Sequence, residues 1–211
     1  MVNIGIIGYQ GDVSEHVEIL HKLSRESRRD IDPVLIRDKK ALRSVSGLII
    51  PGGESTTIYK LLKDFDLFDS IKLMVSRGLH VMGTCAGLIL ISKDDPTSRV
   101  RGMGILNASI KRNAYGRQID SFTDYIDIEG IGRYNAVFIR APIIESVGNS
   151  VLVLAKHRGL PVMVRSEKVI GLTFHPELTG DTRVHEYFIE TIGREGYAST
   201  PKRKWVMEEF I

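Results

Sequence analysis

Short apolar runs alternate with amphipathic segments along the first half of the chain. Residues 2–9, 33–37 and 47–50 are almost continuously apolar, which is typical of strands buried on both faces of a sheet. Between the first two runs, apolar residues recur at helical spacing, and they do so again over residues 66–77. This strand–helix–strand alternation predicts a parallel, doubly wound α/β sheet.

The pattern changes between about residue 95 and residue 170, where strand-like runs become frequent and helical patterns are scarce. Such a sequence predicts a mixed or antiparallel extension of the sheet with hairpins. A last strand over residues 169–174 and a helix over residues 181–194 restore the alternation. The strand-like runs of the middle lie at residues 105–110, 125–128, 136–139, 151–154 and 162–164.

Two helix starts carry recognisable capping residues. Asp12 is followed three positions later by Glu15, which predicts a capping box at the start of the first helix. After the third strand, Ser55 or Thr56 is expected to cap the next helix.

Composition is that of an ordinary globular chain, with 43% hydrophobic and 26% charged residues among 211. We predict one domain over residues 1–196 and a C-terminal tail of unknown role over residues 197–211. No apolar run is long enough to span a bilayer, and the N-terminus lacks a signal-peptide pattern. With one cysteine, an internal disulfide and a Cys-rich zinc site are excluded, so a cytoplasmic location is expected. A net charge of +3 is too small to imply nucleic acid.

That one cysteine, Cys85, stands between an apolar run and a helical pattern and is flanked by Gly83 and Gly87. A strand, a sharp turn and a helix in this order resemble a nucleophile elbow, which exposes its nucleophile above a sheet. The start of a helix also favours the thiolate form of a cysteine. The alternative interpretation is that Cys85 is a small buried hydrophobe.

A second glycine-rich turn, Pro51–Gly52–Gly53–Glu54–Ser55, follows the third strand. Its backbone N–H groups could bind an anion or a carboxylate, although a plain turn is an alternative. It is not a phosphate-binding P-loop, because the Gly–Lys–Ser/Thr ending is missing. In open parallel sheets ligands bind beyond the C-terminal strand ends, where this turn and Cys85 both lie. That convergence favours Cys85 as a nucleophile.

A base for such a nucleophile is available at the end of the last strand, in His175–Pro176–Glu177. A cysteine nucleophile needs a base, and the base needs an orienting carboxylate. Arg140 at another strand end, and an arginine in the polar loop over residues 111–122, could each hold a carboxylate or form a structural ion pair. The remaining histidines are interpreted as structural; they are His16, His21, His80, His157 and His185.

These motifs resemble a known family. Gly83–Thr84–Cys85–Ala86–Gly87 together with His175–Pro176–Glu177 is similar to class I, triad-type glutamine amidotransferases. The stretches 51–57 and 112–122 are more specific and resemble the glutaminase subunits of pyridoxal 5'-phosphate synthases. The resemblance covers residues 2 to about 193. It implies a three-layer, flavodoxin-like α/β fold whose mostly parallel central sheet has an antiparallel extension.

The resemblance also implies roles for individual residues. Cys85 would be the nucleophile, His175 the base and Glu177 its orienting carboxylate. Backbone N–H groups of Gly53 and Ala86 would form the oxyanion hole. This sequence departs from the family pattern at Lys111, where the family commonly has glutamate, and at Tyr115, where it commonly has phenylalanine. Neither position is a site residue. Glutamine would be bound by Gly53, Glu54, Ser55, Arg112, Ile139 and Arg140.

The activity implied by the resemblance is hydrolysis of L-glutamine to L-glutamate and ammonia through a cysteine thioester, without a metal or organic cofactor. Ammonia would pass to a (β/α)₈-barrel pyridoxal 5'-phosphate synthase subunit in a large hetero-oligomer. Neither a nucleic acid nor a membrane is expected as a partner. Three alternatives stay open: a glutaminase subunit of another class I amidotransferase, a cysteine hydrolase of the same fold acting on other amides, and a regulatory protein that retains the fold.

Overall fold

A computed structural model describes residues 1–95, 98–111 and 121–193. Arg112, most of the predicted polar loop and the predicted tail over residues 197–211 lie outside the described residues. The domain boundary at residue 196 therefore stays a prediction.

Eleven strands and six α-helices make up the described fold, in the order that follows. The strands are β1 Val2–Ile7, β2 Ile31–Ile36, β3 Gly47–Ile50, β4 His80–Thr84, β5 Ala108–Lys111, β6 Ser121–Ile128, β7 Gly132–Ile139, β8 Ile143–Val147, β9 Leu152–His157, β10 Leu160–Arg165 and β11 Val169–Leu172. The helices are α1 Val13–Ser27, α2 Lys39–Leu42, α3 Ser55–Asp64, α4 Leu67–Ser76, α5 Ala86–Ile91 and α6 Arg183–Gly193, with a 3₁₀ turn at Pro176–Leu178.

The central sheet has seven strands in the order β2-β1-β3-β4-β11-β10-β9. The first five are parallel, and β10 is antiparallel to both β11 and β9. This confirms the predicted mostly parallel sheet with an antiparallel extension, in a flavodoxin-like strand order. Two antiparallel ribbons, β5–β8 and β6–β7, complete the described strands.

Both faces of the sheet are buried, which explains why its strands are continuously apolar. Leu48 and Ile50 pack into the core on the side of α3, α4 and α5. Ile49, between them, packs into the opposite core with residues of α1, α6 and the β6–β7 ribbon. Successive side chains of a strand point to opposite faces, so a strand covered on both sides contains few polar positions. No helix among the described residues is long and apolar enough to cross a membrane.

Of the two predicted helix caps, Asp12 is confirmed as the N-cap position of α1 but not as part of a capping box, and the cap at Ser55 or Thr56 is wrong. Asp12 stands at the start of α1 but its side chain makes no capping hydrogen bond, and Glu15 accepts a hydrogen bond from Ser14 instead. The cap of α3 is Glu54, whose carboxylate accepts hydrogen bonds from the amide and the hydroxyl of Thr56. Capping rules consider only neighbours in sequence, and at Asp12 a distant partner draws the carboxylate away.

Other differences concern element boundaries and short elements. The predicted strand over 105–110 begins only at Ala108, because the amides of Ile105 and Leu106 bond to the carbonyl of Ile91 at the end of α5. The helix α2 and the strand β8 were not predicted. A four-residue helix such as α2 is too short to show a helical period.

The close contact between α5 and the sheet yields a stability prediction. A Cβ at Gly87 would lie 1.9 Å from the carbonyl oxygen of Ile50, whereas a Cβ at Gly193, at the end of α6, meets nothing within 4 Å. We expect Gly87→Ala to lower the free energy of unfolding by about 3 kcal/mol, because backbone must shift to admit the methyl group. The matched variant Gly193→Ala should be neutral or stabilising by less than about 1 kcal/mol. Urea denaturation of both variants measures the difference, and equal midpoints would contradict the predicted close packing.

Candidate active site

Loops that follow five strands, β1, β3, β4, β7 and β11, meet in one cavity at the C-terminal edge of the parallel strands. The cavity has a volume of about 160 Å³. The described residues predicted to react with or bind a substrate all line it, apart from Glu177, which lies behind His175; Arg112 is outside the described residues. The lining residues are Asp12, Gly53, Glu54, Ser55, Cys85, Ala86, Ile89, Ile139, Arg140, Pro142 and His175.

Cys85 occupies the sharp turn between β4 and α5. Its φ of 48° and ψ of −100° are rarely adopted by residues other than glycine, and such backbone strain concentrates at functional sites. The turn is tight because a Cβ at Gly83 would lie 2.7 Å from the backbone of Gly87. The thiol is half-buried, and its Sγ lies 3.7 Å from the carbonyl oxygen of Ile139. Strand β4, the turn and α5 thus present the only thiol of the chain to the cavity.

His175 and Glu177 form a hydrogen-bonded pair immediately after β11. The Nδ1 of His175 lies 2.8 Å from Oε1 of Glu177, and both side chains are buried. The amide of His175 donates to the carbonyl of Val137, which ties the base to the β6–β7 ribbon. Pro176 begins the 3₁₀ turn that places the Glu177 carboxylate beneath the imidazole.

Asp12 is a second carboxylate at the same imidazole nitrogen, and our sequence reasoning missed it. Its Oδ2 lies 3.1 Å from Nδ1 of His175, so the side chain assigned to a helix cap contacts the base instead. The position of Asp12 just beyond β1, at the ligand-binding edge of the sheet, was the available signal.

The charges in the site are mutually dependent. Burial alone would lower the pKa of His175, but hydrogen bonds with Asp12, Cys85 and Glu177 raise it to about 12. The hydrogen bond from His175 lowers the pKa of Asp12. Burial raises the pKa of Glu177, and its hydrogen bond with His175 opposes that effect. Near neutral pH the site therefore holds an imidazolium, which is the partner that a cysteine thiolate requires.

The Gly52–Gly53 peptide is held by the loop over residues 10–12. The carbonyl of Gly52 accepts a hydrogen bond of 3.3 Å from the amide of Asp12, and Oε1 of Gln10 accepts one of 2.8 Å from the amide of Glu54. Because a trans peptide is planar, the N–H of Gly53 points opposite to this carbonyl. Gly53 has a φ of 142°, which disfavours any side chain there. The loop therefore sets the direction of a predicted oxyanion-hole donor.

The far side of the cavity is formed where β7 ends. Ile139 contributes the carbonyl near Cys85, and Arg140 is exposed with a φ of 41°. A positive φ in an arginine is uncommon, and this exposed arginine is one of the residues that line the cavity. Arg140 can thus reach a carboxylate bound above Cys85.

A metal site could in principle be built from Asp12, His175 and Glu177, because one potential ligand atom of each lies within 4.8 Å of the others. The short Nδ1 to Oε1 contact, however, is the length of a hydrogen bond, and the Nδ1 proton accounts for both carboxylate contacts. The absence of a metal and of an organic cofactor stays a prediction.

Two histidines interpreted as structural lie directly behind the site. His16 and His185 are fully buried, and Nε2 of His16 is 3.5 Å from Oε2 of Glu177. Both occupy apolar faces of their helices, where their spacing matches that of core residues such as Leu20 and Phe188. The sequence therefore contained no signal that distinguished them from core positions.

Known proteins include relatives of this chain over most of its length. The model of the SNO glutamine amidotransferase family matches residues 6–194. The chain is similar to the pyridoxal 5'-phosphate synthase subunit PdxT of Thermoplasma volcanium, at 56% identity over 94% of this chain and 98% of that protein. It is 44% identical to the PdxT subunit of Thermotoga neapolitana, over 90% of this chain and all of that protein.

A solved structure described as a glutamine amidotransferase superposes with a TM-score of 0.84 at 42% identity, covering 90% of this chain and 98% of the other. A structure of PurLQS from Thermotoga maritima has a TM-score of 0.61 at 16% identity and shares the fold alone. Because the family match spans nearly all described residues and the relatives align over almost their full length, the chain belongs to the SNO glutamine amidotransferase family.

Proposed function

We propose that this chain is the glutaminase subunit of a pyridoxal 5'-phosphate synthase, which hydrolyses L-glutamine and delivers ammonia to a synthase subunit. The observation that carries the proposal is the single cavity that joins Cys85 and His175 to Gly53 and Arg140. It occurs in a chain whose relatives at 42–56% identity are named as subunits of that synthase.

Catalysis begins at the Cys85 sulfur, which attacks the side-chain amide carbon of glutamine as a thiolate. Backbone N–H groups of Gly53 and Ala86 stabilise the resulting oxyanion, each donor contributing about 3–4 kcal/mol. The imidazolium of His175 then protonates the leaving nitrogen, and the carbon–nitrogen bond breaks to release ammonia. Water, activated by the now neutral His175, hydrolyses the thioester to glutamate and restores the thiolate–imidazolium pair.

The carboxylates around His175 keep this proton transfer aligned. Glu177 holds Nδ1 from behind, so the other ring nitrogen, Nε2, is the one available to the reacting groups. Asp12 contacts the same nitrogen from the solvent-accessible side. Together they stabilise the charged imidazolium that exists before and after each transfer.

Substrate recognition requires groups that hold the amino-acid end of glutamine. Arg140 at the cavity mouth, together with Arg112 of the polar loop, is suited to bind the α-carboxylate through its fork of donors. Glu54, Ser55 and Ile139 line the remaining wall. In such a site the α-carboxylate of glutamine is bound at the arginines, while its side-chain amide lies against Cys85.

The partner in this proposal is a (β/α)₈-barrel synthase subunit in a large hetero-oligomer. We place its docking near the Gln10–Gly11 turn, because the same loop orients the Gly52–Gly53 peptide through two hydrogen bonds. Docking would turn a misaligned Gly53 N–H toward the oxyanion, which couples ammonia release to the presence of its consumer. A cytoplasmic location remains a prediction.

The alternatives receive less support. A glutaminase subunit for a different synthase is disfavoured because the relatives at 44–56% identity are named as pyridoxal 5'-phosphate synthase subunits. A hydrolase of other amides, or a regulatory protein without activity, would not need the complete set of Cys85, His175, Glu177 and Arg140 in one place.

The first prediction concerns the nucleophile. Cys85→Ala should lower glutamate release, measured with the synthase subunit present, by about 10⁴-fold or more, because no other thiol is available. Unchanged thermal unfolding would show that the variant is folded. In the wild type, a glutamine-mimicking alkylator should modify Cys85 and be slowed by excess glutamine. Substantial residual activity in Cys85→Ala would disprove the thioester route.

The second prediction concerns the two arginines. Arg140→Ala or Arg112→Ala should raise KM for glutamine about tenfold or more while changing kcat less, because a charged hydrogen bond to the bound substrate is lost. Arg158→Ala is a matched control: it removes an exposed arginine with a similar φ of 50° that does not line the cavity. Steady-state kinetics decide the matter, and an unchanged KM in both site variants would show that these arginines are structural.

The third prediction concerns activation. Glutamate release by the purified chain should rise by about a hundredfold when the synthase subunit is titrated in, since one oxyanion donor is gained. Gly53→Ala should not respond, because its Cβ would lie 2.7 Å from Oε1 of Gln10. Gly159→Ala is the control, since Gly159 also has a positive φ but meets nothing within 4 Å. Full activity of the isolated chain, or normal activation of Gly53→Ala, would refute the coupling.

A further inference from the structure

Two buried histidines extend the row of hydrogen-bonding groups behind the active site. His16 on α1 and His185 on α6 are both 0% exposed, and neither lines the cavity. Nδ1 of His16 lies 3.0 Å from Nε2 of His185, and Nε2 of His16 lies 3.5 Å from Oε2 of Glu177. The contact with His16 lies outside strict hydrogen-bond geometry, and by those criteria Oε2 of Glu177 has no partner among the described residues. The mechanism above uses neither histidine.

Both imidazoles are neutral near neutral pH. Burial lowers the pKa of His185 to about 3. Burial, reinforced by electrostatic interactions with His185 and His175, places the pKa of His16 well below its ordinary value. A neutral imidazole has one donor nitrogen and one acceptor nitrogen, so the 3.0 Å contact between the two rings contains a single shared proton.

The carboxylate of Glu177 decides which ring donates that proton. If His16 donated through Nδ1, the lone pair of its Nε2 would face a buried carboxylate oxygen, and two acceptors would be desolvated against each other. If His185 donates through Nε2, His16 accepts at Nδ1 and directs its own Nε2–H at Oε2 of Glu177. The hydroxyl of Thr84, 3.5 Å from the same Nε2, is compatible with this direction because a hydroxyl oxygen can accept.

We propose that His16 is a positioning residue of the catalytic triad, which donates from Nε2 to the second carboxylate oxygen of Glu177, and that His185 sets the tautomer that makes this possible. The row then has one direction: His185 donates to His16, His16 to Glu177, and His175 donates to the other oxygen of Glu177. A carboxylate held at both oxygens cannot rotate away from His175.

A donor at the second oxygen of Glu177 offsets part of the free-energy cost of burying this carboxylate. Glu177 is removed from water, and its second oxygen would otherwise be a buried acceptor without a donor. A neutral donor at that oxygen favours the ionised carboxylate without adding a positive charge that would compete with the His175 imidazolium. Packing alone would require only the volume of His16, whereas the proposed role requires a proton on Nε2.

The direct test reads the tautomers without any activity assay. Nitrogen-15 NMR of histidine-labelled chain, with His16 and His185 assigned by substitution, should show both rings neutral and protonated at Nε2 near neutral pH. A His16 protonated at Nδ1, or carrying both protons, would overturn the proposal. This measurement needs neither the partner nor glutamine, so it stands even if the proposed function, on which the kinetic role rests, is wrong.

The kinetic test uses the complex with the synthase subunit. His16→Leu should lower kcat by about tenfold to a hundredfold and leave KM within about twofold, because it removes a donor behind the triad and not a substrate contact. His16→Gln, whose amide can donate, should recover part of that loss. The matched control is His21→Leu, an exposed histidine on the same helix, which should keep wild-type kinetics.

The outcomes separate the two ideas. A folded His16→Leu variant with wild-type kcat, or a His16→Gln variant no better than His16→Leu, would reject the positioning role. If His16→Leu does not fold, the tautomer measurement on the wild type decides. If wild-type chain with synthase subunit releases no glutamate, the proposed function fails, while the tautomers still decide whether His16 donates to Glu177.

Discussion

The imidazole of His175 stays charged in a largely buried site because carboxylates from two different elements contact the same nitrogen, at 2.8 Å and 3.1 Å. Taking such a group out of water is costly unless opposite charges and hydrogen bonds replace the lost hydration. The contacts that provide this replacement also assemble the fold around the cavity. Glu177 is positioned by the 3₁₀ turn after β11, and Asp12 is positioned by the start of α1. The backbone amide of His175 is held by a hydrogen bond to β7.

Much of this arrangement could be predicted from the sequence because its signals are local. The parallel strands are continuously apolar since both sheet faces are covered, and their ends carry the residues that meet in the cavity. Cys85 between two glycines and the His175–Pro176–Glu177 sequence reveal a strained turn and a base with its carboxylate. These motifs need no knowledge of distant contacts, which is why the central sheet, Cys85 and the His175–Glu177 pair could be predicted from the residues themselves. Ile139 and the oxyanion donors were expected only from the family resemblance.

The two site features that escaped prediction depend on partners far away in sequence. Aspartate is common at helix N-caps, so the sequence around Asp12 indicates a cap. Its carboxylate has another role only because His175, more than a hundred residues later in the chain, contacts it. His16 has the spacing of a core residue, and nothing local indicates that a carboxylate faces it. The short elements α2 and β8 were missed for a different reason, since segments of four or five residues contain too few positions to establish a period.

The loop over residues 10–12 contacts two parts of the catalytic machinery at once. Its backbone and Gln10 hold the Gly52–Gly53 turn, while the Asp12 side chain contacts the base. A small molecule wedged beneath this loop would disturb the oxyanion donor and the imidazolium together without occupying the glutamine pocket. Such a molecule would therefore impair oxyanion stabilisation and proton transfer at the same time, so its effect on kcat would exceed that of disturbing either group alone.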